Sequence, residues 1–260
     1  MENPSDPVSE QIARRANSFG ARAADYAEHR PDYPAEAVGW VVETVADRHP
    51  PTVLDLGAGT GKLTHGLLAA GAHVIAVEPD EQMRAELAHR CPGVTVHAGT
   101  AEMIPLGNDS VDAVVAGQAF HWFDQQRAFP EIARVLRRDG TFAALWNIDD
   151  QSVGWVAGLH AVAETTMSMP LLRWLDAGLP THPLFHEFER ANFPHKHRRT
   201  AESLTATIGT HSHTMVISAE ERTEVLDRIT AYLRAQPETA TGDFDVPIVT
   251  VALRSTPRAT

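Results

Sequence analysis

One short stretch constrains the fold more than any other. Val53-Leu54-Asp55-Leu56 is an apolar run that leads into Gly57-Ala58-Gly59-Thr60-Gly61. A run of that length closed by glycine reads as a buried parallel strand. Residues 63–70 follow with helical spacing and stop at Gly71. The pattern recurs. Residues 74–77, 94–97, 111–116 and 141–146 read as strands, and residues 80–89 and 127–136 as helices, with Asp80 as an N-cap. Residues 107–110 and Asp139-Gly140 carry turn chemistry. Alternation of this kind predicts an α/β, doubly wound and mostly parallel sheet with helices on both faces.

The flanks are less regular. Residues 10–29 carry helical spacing that Pro31 and Pro34 must end. A helix is predicted over 35–48. Beyond Asn147, helices are predicted over 153–168, 201–209 and 219–235, a partly helical insertion over 170–186, a strand over 188–198 and a closing strand over 244–253. Pro247 in the last of these implies an edge position or a strand start.

Composition removes several classes. Among 260 residues, 22 basic against 34 acidic side chains give a net charge of −12, which disfavours a general nucleic-acid-binding surface. A single cysteine, Cys91, excludes an internal disulfide framework. No apolar run approaches the roughly 18 residues of a membrane span, and the polar N-terminus lacks a signal-peptide core. The expectation is a cytoplasmic protein with no membrane partner.

The glycine turn points to a ligand. Glycine there permits positive φ and lets a ligand lie against bare backbone, and the next helix offers unpaired N–H groups. A dinucleotide fold uses the same physics with Gly-x-Gly-x-x-Gly. Here the third glycine comes one position early and Lys62 stands where the last should be, so the pyrophosphate fingerprint fails. Glu78 closes the second strand 17 residues after Gly61, where a carboxylate can hold ribose hydroxyls. The alternative is that Glu78 caps the following helix or is solvated at the strand end.

Residues 53–61 and Val77-Glu78-Pro79 together resemble class I S-adenosylmethionine-dependent methyltransferases. Further pieces resemble the branch that includes trans-aconitate methyltransferase: residues 99–106, 111–115, 118–124, and Phe19 with residues 26–34. The resemblance is dense over 19–146 and thin beyond. It implies a Rossmann-like sheet of seven strands with the last antiparallel, in a single domain spanning 1–260. Residues 1–40 and about 150–215 would form a lid over the strand ends. It implies S-adenosylmethionine as cofactor and S-adenosylhomocysteine as product.

By the same resemblance, Gly57, Gly59 and Gly61 pass under the cofactor and Asp55 meets its ammonium. Glu78 binds the ribose, Pro79 and Met83 pack on the adenine, and Gln118 faces the methionine end. Tyr26 and Arg30 close over the cofactor, Arg30 toward its carboxylate. Family members often place an aspartate where this chain has Thr100; the backbone N–H of Ala101 is the contact that remains.

A sulfonium methyl is already activated, so the enzyme chiefly aligns donor and acceptor and excludes water. A carboxylate acceptor needs no base; a hydroxyl or amine can need one. His121 is the candidate base, with substrate contact as its alternative, and Trp122 is a substrate-side candidate that could equally pack the loop. Gln118-Ala119-Phe120-His121 lacks the Asn/Asp-Pro-Pro-aromatic pattern common in nitrogen methylation, which favours a small oxygen acceptor over RNA or protein. His195-Lys196-His197-Arg198-Arg199 is basic and could attract an anionic substrate, but it reads rather as an exposed strand end with alternating faces. His211-Ser212-His213 and Asp149-Asp150 lack metal-site partners at the usual spacing, so no metal is expected, and His213 is kept as a substrate-side candidate. Rival readings are a nucleotide-dependent oxidoreductase and a non-catalytic cofactor-binding protein.

Overall fold

The computed structural model describes residues 30–164, 180–211, 214 and 216–258. The predicted helix over 10–29 and most of the 170–186 insertion lie outside them. Among the described residues seven strands form one sheet: β1 (Thr52–Leu56), β2 (His73–Val77), β3 (Thr95–His97), β4 (Val111–Gly117), β5 (Leu136–Asp149), β6 (Glu189–Arg199) and β7 (Phe244–Ser255). Their order is β3-β2-β1-β4-β5-β7-β6. The chain winds outward from β1 to β3 and returns to β4 on the other side of β1. The crevice between the ends of β1 and β4 is therefore the topological switch point.

The pairs β1–β2, β1–β4, β2–β3 and β4–β5 are parallel, as expected. The last strand is antiparallel, also as expected. Asp150 N donates to Pro247 O, whereas Thr250 Oγ1 donates to Asn147 Oδ1, so partners of β5 and β7 run in opposite directions. Pro247 belongs to a strand with neighbours on both sides, which corrects the edge expectation; it is the fourth residue, near the strand start. The expected Asp139-Gly140 turn is an irregularity inside β5. Asp139 has φ 61°, and the β4–β5 register jumps from Val111↔Leu136 to Ala113↔Thr141.

The chain divides into two compact units. The first comprises 31–148, 172–195 and 249–260. Its α1 (Ala35–Val42) and α2 (Lys62–Ala69) bury Ala37, Val38, Val41, Leu63 and Leu67 against Val53, Val74 and Val115 of the sheet. The predicted helix over 35–48 gives way to a 3-10 turn at Glu43–Val45. In α3 (Glu81–Arg90) the Asp80 side chain caps Met83 N at 2.9 Å, as the sequence predicts. In α4 (Gln125–Val135) Asp124 accepts from Gln126 N. On the other face Phe120, Phe129, Phe142, Phe185, Phe188 and Trp146 meet largely edge to face.

At the opposite end of the sheet from the glycine turn, Asp112 near the start of β4 is buried. Its Oδ1 accepts from Arg48 at 2.9 Å and Arg137 at 2.8 Å, and its Oδ2 from Thr52 N at 2.7 Å.

The second unit comprises 1–30, 149–171 and 196–248. Helices α5 (Gly154–Val162), α6 (Ala201–Ile208) and α7 (Ala219–Ala235) bury Trp155, Leu159, Leu204, Val225, Ile229 and Leu233 in a core of their own, with Phe244 and Val246. A Thr200–Ser203 capping box starts α6, and Ser218 caps α7. Strands β6 and β7 each have residues in both units. Among the described residues, no helix is long and apolar enough to cross a membrane.

Candidate active site

Residues 57–61 leave β1 in a turn that needs glycine. Gly57, Gly59 and Gly61 have φ of 70°, 56° and 87°, values that L side chains rarely adopt. A Cβ on Gly57 would stand 2.8 Å from the Ala119 Cβ, so the turn and the segment after β4 approach too closely for any side chain. Gly59 is different: nothing lies within 4 Å of where its Cβ would be, so its outer side is open. Gly57 N and Ala58 N both donate to Val77 O, which ties the turn to the end of β2.

Two carboxylates flank this turn. Asp55 is fully buried in β1. Its Oδ2 accepts from Thr64 Oγ1 at 2.6 Å, and its Oδ1 has no partner among the described residues. Burial pushes its carboxyl up to about 7; the Thr64 hydroxyl opposes this and the Glu78 charge adds to it. Thr60 Oγ1, in the turn itself, is a second buried atom without a partner. Buried polar atoms are normally satisfied, so each of the two atoms keeps hydrogen-bonding capacity for a further group.

Glu78 is 8% exposed. Its Oε2 accepts from Gly59 N and its Oε1 from Asp80 N, each at 2.9 Å. Burial raises its carboxyl above the ordinary range, and the two N–H donors oppose that. Of the two readings of Glu78, the structure bears on the capping one: Oε1 holds the backbone that starts α3, and Oε2 also braces the turn. An ionised carboxylate has about four acceptor sites, so two bonds leave capacity for two hydroxyls.

The remaining expected contacts divide. Pro79 is exposed at the end of β2, whereas Met83 is buried under the first turn of α3. Thr100 is exposed and bridges to Met103, and Ala101 beside it is buried. The loop they belong to is clamped by α4. Glu131 Oε2 accepts from Ile104 N, while Arg134 donates to Ile104 O and Leu106 O. The Glu131 carboxyl is held below its usual range, chiefly by Arg134.

Gln118 sits just past β4 with φ 55°. Its N donates to Leu145 O and its Nε2 to Asn147 O, both at 2.8 Å. Its side-chain Nε2 is thus engaged at the end of β5. The following 3-10 turn, Phe120–Trp122, holds His121 and Trp122 with ring centroids 4.7 Å apart. His121 Nδ1 accepts the indole N–H of the buried Trp146 at 3.1 Å. The neutral imidazole therefore carries its proton on Nε2. The ring is held in a donor form, and abstraction of a proton through Nδ1 would first require loss of the Trp146 bond.

Arg30 belongs to the second unit, where its Nη2 donates to Thr210 O at 3.2 Å. Tyr26 and His213 lie outside the described residues. Along 195–199 exposure alternates, as expected, but His195 Nε2 is bonded to Thr250 Oγ1 at 3.0 Å. Asp149 pairs with His160 at 3.0 Å. Among the described residues no group of three or more His, Cys, Asp or Glu is arranged to hold a metal.

Thr64 and Asn147 carry much of this geometry and were not singled out by sequence. Thr64 follows the glycine turn by one helical turn, a spacing that could have suggested it. Asn147 gives no local signal.

A family model described as "Methyltransferase domain" matches residues 54–144. An uncharacterised methyltransferase of Mycobacterium tuberculosis is 37% identical over 249 residues, covering 92% of this chain and 95% of that protein. One from Schizosaccharomyces pombe is 33% identical over 242 residues, covering 92% and 96%. Among solved structures, a candidate methyltransferase from an antibiotic biosynthesis pathway of Anabaena variabilis superposes with TM-score 0.61 at 22% identity, over 86% of this chain and 98% of that one. A candidate type II methyltransferase from Anaeromyxobacter dehalogenans gives TM-score 0.59 at 24% identity, over 88% and 97%. These two likenesses concern the fold.

Proposed function

The chain belongs to the class I S-adenosylmethionine-dependent methyltransferases, and on that premise we propose that it methylates a small molecule at oxygen. One observation carries the cofactor side: a buried carboxylate with an unpartnered Oδ1, Asp55, beside a glycine turn whose middle residue is open. An ammonium group fits that oxygen in charge and hydrogen-bonding capacity. Glu78, with two sites already used, suits the vicinal hydroxyls of a ribose. Pro79, Met83, Thr100 and the Ala101 backbone are assigned to the adenine side. When bound, the cofactor supplies a methyl group already activated on a sulfonium.

The protein's share is then alignment and exclusion of water. His121 and Trp122 are assigned to the acceptor. Because His121 is held in its donor form, it orients an acceptor oxygen through Nε2–H rather than deprotonating it. A carboxylate acceptor requires no deprotonation, so this geometry favours a carboxylate over an alcohol.

Calorimetric titration with S-adenosylmethionine, with NAD in parallel, tests the cofactor. Binding of the first and not of the second is expected. Binding of NAD alone would overturn the reading. A panel of small carboxylic acids and alcohols, followed by S-adenosylhomocysteine release, tests the acceptor; turnover confined to alcohols would overturn the carboxylate preference. Glu78→Ala is expected to weaken cofactor binding by about 1–3 kcal/mol, since both the ribose contacts and the brace on Gly59 are lost. An unchanged affinity would remove Glu78 from the site.

A further inference from the structure

Asn147, at the end of β5, takes part in four hydrogen bonds to three other parts of the first unit. Its Nδ2 donates to Pro31 O at 3.3 Å and to Asp32 O at 3.2 Å. Its Oδ1 accepts from Thr250 Oγ1 of β7 at 2.5 Å. Its backbone carbonyl accepts from Gln118 Nε2. The orientation of the amide is forced, because two carbonyls face the nitrogen and a hydroxyl faces the oxygen. Thr250 is fully buried, and with its proton committed to Asn147 it must accept from His195 Nε2–H.

The chain His195–Thr250–Asn147 therefore ends on the backbone at 31–32, the residues that directly follow Arg30 in sequence. The same anchor is held from a second side by Lys62, the first residue of α2, whose Nζ meets Asp32 Oδ1 at 2.9 Å. Tyr33 lies immediately beyond: a Cβ on Gly117 would stand 2.7 Å from its hydroxyl, so Tyr33 closes down on the end of β4. Two of the four bonds hold the backbone at 31–32, one ties the amide to β7, and one receives the Gln118 side chain on the backbone carbonyl.

We propose that Asn147, oriented by Thr250 and His195, is a positioning residue whose side chain anchors the 31–33 stem at the cofactor edge of the sheet. The proposal rests on the methyltransferase reading for its consequence, which is that cofactor affinity depends on this anchor. It rests on geometry alone for the anchor itself.

Three variants separate the two. Thr250→Val keeps the side-chain shape and removes the hydroxyl, Thr250→Ser keeps the hydroxyl, and Asn147→Asp keeps an acceptor for Thr250 while turning the donors into a charged acceptor facing two carbonyls. Hydrogen exchange of the Asp32 and Tyr33 amides is read on the protein without cofactor, and cofactor affinity is read separately by calorimetry. T250V and N147D are expected to speed exchange at 32–33 at least fivefold, leave exchange in β1 and β2 within twofold, and weaken S-adenosylmethionine binding about three- to tenfold. T250S is expected to restore both readings. Wild-type exchange at 32–33 in both T250V and N147D would overturn the anchor, whether or not the protein binds S-adenosylmethionine. Faster exchange with unchanged affinity would overturn its link to the cofactor. A general loosening that includes β1 and β2 would overturn the positioning role in favour of a merely structural one.

Discussion

Asp55→Asn is expected to weaken S-adenosylmethionine binding by about two orders of magnitude while flattening the pH dependence of stability. The carboxyl of Asp55 rises from 3.8 to about 7 on folding, mainly through burial. A folded-state value above the unfolded one means that the native protein holds a proton the unfolded chain has released. Stability therefore falls as pH rises from about 4 to 7, and the full loss, about 4 kcal/mol, is present above that window. The asparagine variant has no such loss. It does leave a buried amide N–H₂ short of partners, costing about 1–3 kcal/mol. The variant should thus unfold at a higher temperature than wild type at pH 8 and at a lower one near pH 4.

The same proton gives binding a sign. An ammonium beside Oδ1 favours the ionised carboxylate, so cofactor capture releases the proton. Wild-type affinity is expected to rise by up to about tenfold per pH unit between pH 5.5 and 7, and the rise should vanish in D55N. Titrations in two buffers of different ionisation enthalpy measure the released proton directly. Equal cofactor affinity for D55N and wild type would show that Asp55 does not receive the ammonium.

Asp112→Asn is expected to cost about 2–4 kcal/mol of stability and to leave cofactor affinity unaltered. The substitution keeps the shape and leaves Arg48 and Arg137 without the carboxylate they share. Removing one member of a buried ionic group costs far more than the net worth of the pair. Burial alone would raise the Asp112 carboxyl; the Thr52 N–H and the two guanidiniums outweigh it and hold it below the ordinary value. A lowered folded-state value contributes stability that is present above the unfolded value near 3.8 and is lost as pH falls below it. The gap between variant and wild type should accordingly stay level from pH 5 to 8 and narrow below pH 4. Denaturant unfolding across that range checks it. A gap under 0.5 kcal/mol at pH 7 would mean that the three charges contribute nothing.

The strands of the parallel sheet were legible because each is a compact apolar run closed by glycine or a turn, and because burial on both faces leaves no other place for such runs. The glycine turn, Asp55 and Glu78 were legible because their chemistry is local: each stands at a strand end, at a fixed interval from the next. What was not legible depends on residues distant in sequence. No periodicity announces that Thr250 points at Asn147, or that Trp146 turns its indole N–H onto His121 and so decides the tautomer. Nor does any local pattern announce that the Gln118 side chain reaches the Asn147 carbonyl. Pro247 signalled an edge because it cannot donate, yet as the fourth residue of β7 it still offers its carbonyl to Asp150.

Helix α4 has a further consequence through what is attached to it. Its N-terminal end follows directly from the Phe120–Trp122 turn, and its Glu131 and Arg134 grip the loop over Ile104 and Leu106. The part assigned to the acceptor and the part assigned to the adenine are thus mounted on a single rod. A substitution that tilts the rod to admit a new acceptor also shifts the loop beside the cofactor. Acceptor range in this chain is therefore expected to diversify through side chains at 121–123, with the helix itself held constant.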